Sequence, residues 1–184
     1  EIRDAAGVLT VNDITEVVVH VNPGSDNSLI HPYARTPAEA RFCMRYVVSA
    51  ALLDGCVDFT TFTSDRVLAE DVQALMRKVR LERDVDIPYE HRSYALDYAA
   101  VHIERSEGPP DYRICTAPRG SAENPLTDKD LIEKADDCLA NGGFDRGANQ
   151  LLDALREPSG SSSDFVRLLR AFAPSTNQEP ERTH

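Results

Sequence analysis

The chain has 184 residues, with 31 acidic and 20 basic side chains and a formal net charge of -11. That length builds one domain with a real core and falls short of two comfortable ones. The charge argues against a nucleic-acid partner, whose phosphates would be repelled, and the lack of a signal peptide or a long apolar run argues against secretion and membrane spanning. Cys43, Cys56, Cys115 and Cys138 show no CxxC spacing and no nearby histidine grouping. Neither a zinc site nor a disulfide framework is expected, and reduced cysteines in a cytoplasmic protein are the plain reading.

The sequence starts at Glu1, and residues 1–9 read as the tail of a helix whose beginning is missing: Ile2, Ala5, Ala6 and Leu9 keep loose helical spacing. Ile14 to Val21 is a valine-rich strand, followed by a loop over Asn22 to Asn27. Thr36 to Gly55 carries the signals of one long helix. Thr36 with Glu39 makes a capping box, Pro37 suits the first helical position, and Gly55 can close the last turn in the left-handed conformation. Beyond Arg45 the stretch leaves only Tyr46, Ser49 and Asp54 polar, so it reads as a central helix covered on more than one side. Tyr46 lies where the polar half gives way to the buried half, and the capped start sets the direction in which it points.

Cys56 to Thr63 is β-prone but too irregular to assign. Val72, Leu75, Met76 and Val79 predict a short helix over 71–78, and 79–85 alternates like an edge or half-buried strand until Ile87-Pro88. Tyr94–Glu104 and Tyr112–Ala117 read as a hairpin turning at Glu107-Gly108-Pro109-Pro110. Thr127 caps a helix running to about Ala140, with Asp128 and Asp130 at its positive end, and Asn141-Gly142-Gly143 stops it. Helices over 144–156 and 165–172 are expected around a Ser/Gly linker at 158–163, and 174–184 reads as a flexible tail. Strands come in runs without regular βαβ alternation. The fold class is therefore α+β: a mostly antiparallel sheet with packed helices and a long buried central helix, in one domain over residues 1–173.

Three segments carry a family resemblance. They are Glu39-Ala40-Arg41-Phe42-Cys43-Met44-Arg45-Tyr46 running on to Leu52-Leu53-Asp54-Gly55, the strand Asp13 to Val19, and Asn124-Pro125-Leu126-Thr127 to Lys134. In this order they resemble the C-terminal domain of the MmgE/PrpD family, over roughly residues 10 to 140. The resemblance implies a smaller α+β lid beside a larger helical domain. It implies an enzyme without metal or organic cofactor that eliminates water, releases CO2 or moves a proton next to the carboxylates of small polyacids. Such chemistry needs a general acid, a general base and cations that hold the carboxylates. Most of those groups, a Lys and a His among them, belong to the part of the family's chain that precedes this stretch, so this chain alone is expected to be incomplete as a catalyst. The lid contributes a tyrosine, and the matching position is Tyr46.

Read from the residues alone, Tyr46 is a core aromatic with its hydroxyl on a backbone carbonyl; the resemblance reverses that reading. Cys43, one turn earlier, and Arg45 stand where the family commonly has Ser and a Gln-like residue. They are the substrate-binding candidates, although a small buried hydrophobe is the plainer account of Cys43. Arg41 and Arg45, four apart, would share a helix face and clamp a carboxylate, or reach solvent and pair with Glu39 or Asp54. His20 and His102 fall in strand patterns and read as structural. His31 precedes the central helix and can face a cleft. Arg119-Gly120 reads as a turn, and the acidic residues of 128–137 as a solvated helix face. Two functions follow: the lid of a lyase or epimerase acting on a small polycarboxylate, and a non-catalytic module that only associates. A cut lid exposes an apolar face, so a homodimer is expected for either.

Overall fold

The computed structural model describes residues 7–21, 27–83 and 99–144, together with Ala148, Asn149, Asp153, Val166 and Arg170. They fall into two compact units that meet in sequence between Asn124 and Pro125.

The first unit is built on β1, Ile14–Val21. Val17, Val19 and Val21 alternate onto one face and are buried there with Ile14, Leu52, Leu75, Val79 and Ile103. The strand lies between β2, Val79–Arg83, and β3, Ala99–Arg105; β4, Asp111–Cys115, completes the order β2-β1-β3-β4. The β1–β3 and β3–β4 pairings are antiparallel, whereas β1 and β2 run parallel with Val17 opposite Val79. The sheet is mixed and mostly antiparallel, as expected of an α+β fold. A parallel pair cannot be joined by a tight turn, and every α-helix of this unit among the described residues lies in the stretch between β1 and β2. The edge strand expected at 79–85 is β2, and the expected hairpin is β3–β4; residues 94–98 lie outside the described residues. Lys78, just before β2, donates from Nζ to the carbonyls of Val11 and Ile14 at 2.8 and 2.7 Å, which ties the two parallel strands at their start.

The long central helix is not one helix. It consists of α1, Pro37–Ala40, and α2, Met44–Asp54. Both expected ends are present. Thr36 and Glu39 form the reciprocal capping box, with Pro37 in the first turn, and Gly55 closes α2 at φ 82°. The break falls at Cys43, whose backbone is extended at φ -124°, ψ 102°. Its cause is a competing long-range bond. The Phe42 carbonyl, which would serve the interior of a continuous helix, instead accepts from His31 N–H at 3.1 Å. The Phe42 and Cys43 amides bond three residues back rather than four. Cys43 then restarts the helix by accepting from Val47 N–H at 3.1 Å. The direction of Tyr46 is thus set by Cys43 and not by the capped start at Thr36. Within α2, Tyr46, Ser49, Ala50 and Leu52 are buried and most other positions half-buried, so this shorter helix is covered on more than one side.

Two further helices follow, α3 at Ser64–Leu68 and α4 at Glu70–Met76. The second is the short helix expected near 71–78. The first was not anticipated, although Thr63 gives its sign by accepting from Arg66 N–H. The unassigned stretch before it holds a 3-10 turn, Thr60–Phe62. The packed faces of α1 to α4 enclose Ala34, Ala40, Cys43, Tyr46, Ala50, Val67, Val72 and Met76.

The second unit contains α5, Asp128–Asn141. Its start is the expected one. Thr127 Oγ1 accepts from Asp130 N–H at 3.2 Å, and Asp130 Oδ2 accepts from Thr127 N–H at 2.8 Å. Gly142 ends it, with Gly143 at φ 75°. Ala148, Asn149 and Asp153 are helical, as are Val166 and Arg170. The remainder of the helices expected at 144–156 and 165–172, the linker and the tail lie outside the described residues, as do residues 1–6.

Candidate functional site

The site residues read from the sequence all lie at the start of α2. Tyr46 is fully buried among the small side chains of Ala40, Cys43 and Ala50, and its ring meets that of Phe62 at 6.2 Å between centroids. Its hydroxyl donates to the backbone carbonyl of Thr61 in the 3-10 turn. This is the arrangement the residues alone predicted for a core tyrosine.

The acceptor is itself firmly held. Asp58 Oδ1 accepts from the amides of Thr60 and Thr61 at 2.8 and 3.2 Å and from Thr60 Oγ1 at 2.6 Å, while Thr61 Oγ1 accepts from Asp58 N–H at 3.0 Å. The Thr60 hydroxyl, foremost, holds the Asp58 carboxyl below the usual carboxylate range. Just beyond, Arg66 on α3 forks onto both Asp54 oxygens at 2.9 Å and onto Asp71 Oδ1 at 2.7 Å. That pairing draws the ends of α2, α3 and α4 together around the turn that carries Thr61, and it holds the guanidinium charged well above its ordinary range. Asp71 also accepts from Val72 N–H at 2.7 Å. Burial raises its pKa, but Arg66 and that amide outweigh burial and leave it lowered. No spacing rule in the sequence marks this trio, because its three members come from three helices.

Burial pushes the Tyr46 phenol up to about 12, with Arg66 pulling it down and Asp54 and Asp71 adding to the rise. The group is a neutral donor at physiological pH. Because its folded pKa exceeds the ordinary value of 10.0, its contribution to stability is intact below pH 10 and is lost as pH rises from there toward 12. In an alkaline titration followed by tyrosinate absorbance, Tyr46 is expected to ionise above the ordinary phenol value of 10.0 and together with unfolding. Tyr46→Phe should remove this contribution to the fall in stability between pH 10 and 12. Ionisation of every tyrosine near pH 10 without unfolding would contradict this burial.

Cys43 is fully buried, and burial raises its thiol pKa, so it stays protonated and packs as a small apolar group. Arg45 is half-buried, with its guanidinium carbon 4.9 Å from the ring centroid of Tyr33. Arg41 is exposed at the end of α1. The helix break removes the common face on which Arg41 and Arg45 were expected to clamp a carboxylate. His31 is engaged through its backbone at the break. His20 and His102 sit in the sheet beside acids, with Nδ1 of His20 3.7 Å from Glu82 and Nε2 of His102 3.2 Å from Glu104. Gly120, at φ 97°, donates to the Asn124 carbonyl at 2.7 Å and forms the expected turn. Among the described residues no three His, Cys, Asp or Glu side chains are placed to hold a metal ion. No helix there is long and apolar enough to cross a membrane.

Comparison with known proteins gives two matches. The model of the MmgE/PrpD C-terminal domain matches residues 1–155. Cis-aconitate decarboxylase of Mus musculus is 31% identical over 103 residues. That stretch is 56% of this chain and 20% of the mouse protein, so the chain spans only a small part of the length of this relative.

Proposed function

The chain belongs to the MmgE/PrpD C-terminal domain family, and from that premise we propose that it is the lid of a longer lyase or epimerase acting on small di- or tricarboxylic acids. The reaction is dehydration, decarboxylation or proton transfer next to a carboxylate, run without a cofactor. The observation that carries this reading is the family match over residues 1–155. The mouse relative, a decarboxylase by name, supports the same class.

In this reading Tyr46 is the lid's contribution to the chemistry. The resemblance points to its position, and its environment supplies a neutral phenol at working pH, the form a proton donor needs. The phenol oxygen has one proton and two lone pairs. Tyr46 is fully buried with its proton on the Thr61 carbonyl, so the phenol meets no substrate while that turn is in place. When the Thr60–Phe62 turn yields, the proton becomes available to a developing anion. Cys43 contributes from behind, as part of the wall that fixes the phenol, and Arg45 supplies a cation toward the acid. The carboxylate-rich substrate, the helical remainder of the enzyme and a second copy of the chain are the partners this proposal implies.

A non-catalytic association module is the second reading. It is favoured by the exposure of Ile30 and Phe42 beside the helix break, at 70% and 48%. One assay separates the two. The full-length polypeptide is offered a panel of small di- and tricarboxylic acids in D2O, and products are followed for lost CO2, lost water and exchanged protons. The lid reading predicts turnover of at least one acid. A module that only associates leaves the whole panel unchanged.

A further inference from the structure

The half-buried arginines Arg66 and Arg105 sit on carboxylates. Arg45 does not: its side-chain partner is the ring of Tyr33, and among the described residues no carboxylate pairs with it. Exposed arginines such as Arg35, Arg41 and Arg77 also have no acid among the described residues, but in a chain with 31 acids against 20 bases a half-buried arginine held in place without one is unexpected. The neighbouring sequence is cationic as well. Arg35 and Arg41 are exposed in the same stretch, and the single acid between them, Glu39, has Oε2 taken up by the amides of Arg35 and Thr36 at 2.7 and 3.2 Å. A ring contact consumes none of the guanidinium donors in an ion pair, and it removes some of the side-chain freedom that binding would otherwise cost. What remains is a planar fork whose natural ligand is a carboxylate.

We propose that Arg45, held over Tyr33, binds a carboxylate of the substrate away from the reacting carbon and so sets which small polycarboxylic acid the lid accepts. This rests on the lid reading above. Arg45 adjoins Tyr46 in α2, where one residue advances the helix by only about 1.5 Å. A group held by Arg45 is therefore kept in fixed register with the start of the helix that carries the phenol.

The test uses the full-length enzyme and three variants, Arg45→Gln, Arg45→Lys and Tyr33→Leu, with kcat and KM for the acid that is turned over and calorimetric binding of citrate as a probe. Arg45→Gln is expected to raise KM and weaken citrate binding about tenfold or more, the scale of one hydrogen-bonded charge, with kcat changed by less than about threefold. Arg45→Lys should recover only part, since an ammonium lacks the fork. Tyr33→Leu, at a half-exposed position, should weaken citrate binding by about two- to fivefold. Unchanged KM and citrate binding in Arg45→Gln would overturn the proposal. A lower melting temperature with unchanged binding would also overturn it, by showing that Arg45 pairs with a carboxylate of the longer protein. If no acid is turned over and citrate binding still falls tenfold in Arg45→Gln, the lyase reading fails and the carboxylate site stands.

Discussion

Tyr46→Phe in the full-length enzyme is expected to lower kcat by about 100-fold or more, the scale of losing a positioned acid or base. The same change should lower stability by about 1–3 kcal/mol, because it removes the donor of the buried Thr61 carbonyl while keeping the ring against Phe62. The two effects are separable. A phenol that serves only to anchor the Thr60–Phe62 turn would give the stability loss with kcat within about threefold of wild type, a difference of under ~1 kcal/mol of barrier. That outcome would assign Tyr46 to the core and remove it from the chemistry. A large fall in kcat with a small fall in melting temperature gives it both roles. On the proposed lid reading the dual outcome is the expected one, since the hydroxyl already has a structural partner and a catalytic phenol must exchange or share it.

The parts of the fold that were legible in the sequence are those whose cause is local. β1 was readable because its valines alternate beneath a buried face, and its ends agree with the expected ones. The capping boxes at Thr36 and Thr127 and the left-handed Gly55 are each decided within four residues. The helix break was not readable, because its cause lies eleven positions back along the chain, where His31 N–H takes the Phe42 carbonyl. Arg41-Phe42-Cys43 carries no proline or glycine to mark the interruption. The parallel β1–β2 pair was missed for a related reason: strand direction depends on how the intervening helices bring the chain back. α3 differs from both, since Thr63 followed by Asp65 is a local start signal.

For the candidate site the same division holds. The family resemblance singled out Tyr46, and the bare reading of it as a core aromatic on a carbonyl describes its present contacts. The sequence could not show that Asp58 fixes the acceptor turn, or that Arg66 joins Asp54 and Asp71 next to it. Those contacts cross between elements, and no period along the chain encodes them. The clamp expected of Arg41 and Arg45 assumed one continuous helix, and it fell with that assumption. Arg45 then emerged with an aromatic partner in place of an acidic one.

The central claim is that this chain is one half of a divided active site, and it is tested most directly by separating the halves. The 184 residues expressed alone should fold, because the sheet and the four helices of the first unit bury a shared core, yet they should turn over none of the acids that the full-length enzyme consumes. The loss relative to full length should be complete within the limits of the assay, since on the proposed lid reading the base and most of the cations belong to the helical domain. Adding the remainder of the polypeptide as a separate chain should restore turnover in proportion to complex formed. Robust turnover of a di- or tricarboxylic acid by the 184 residues alone would contradict the account.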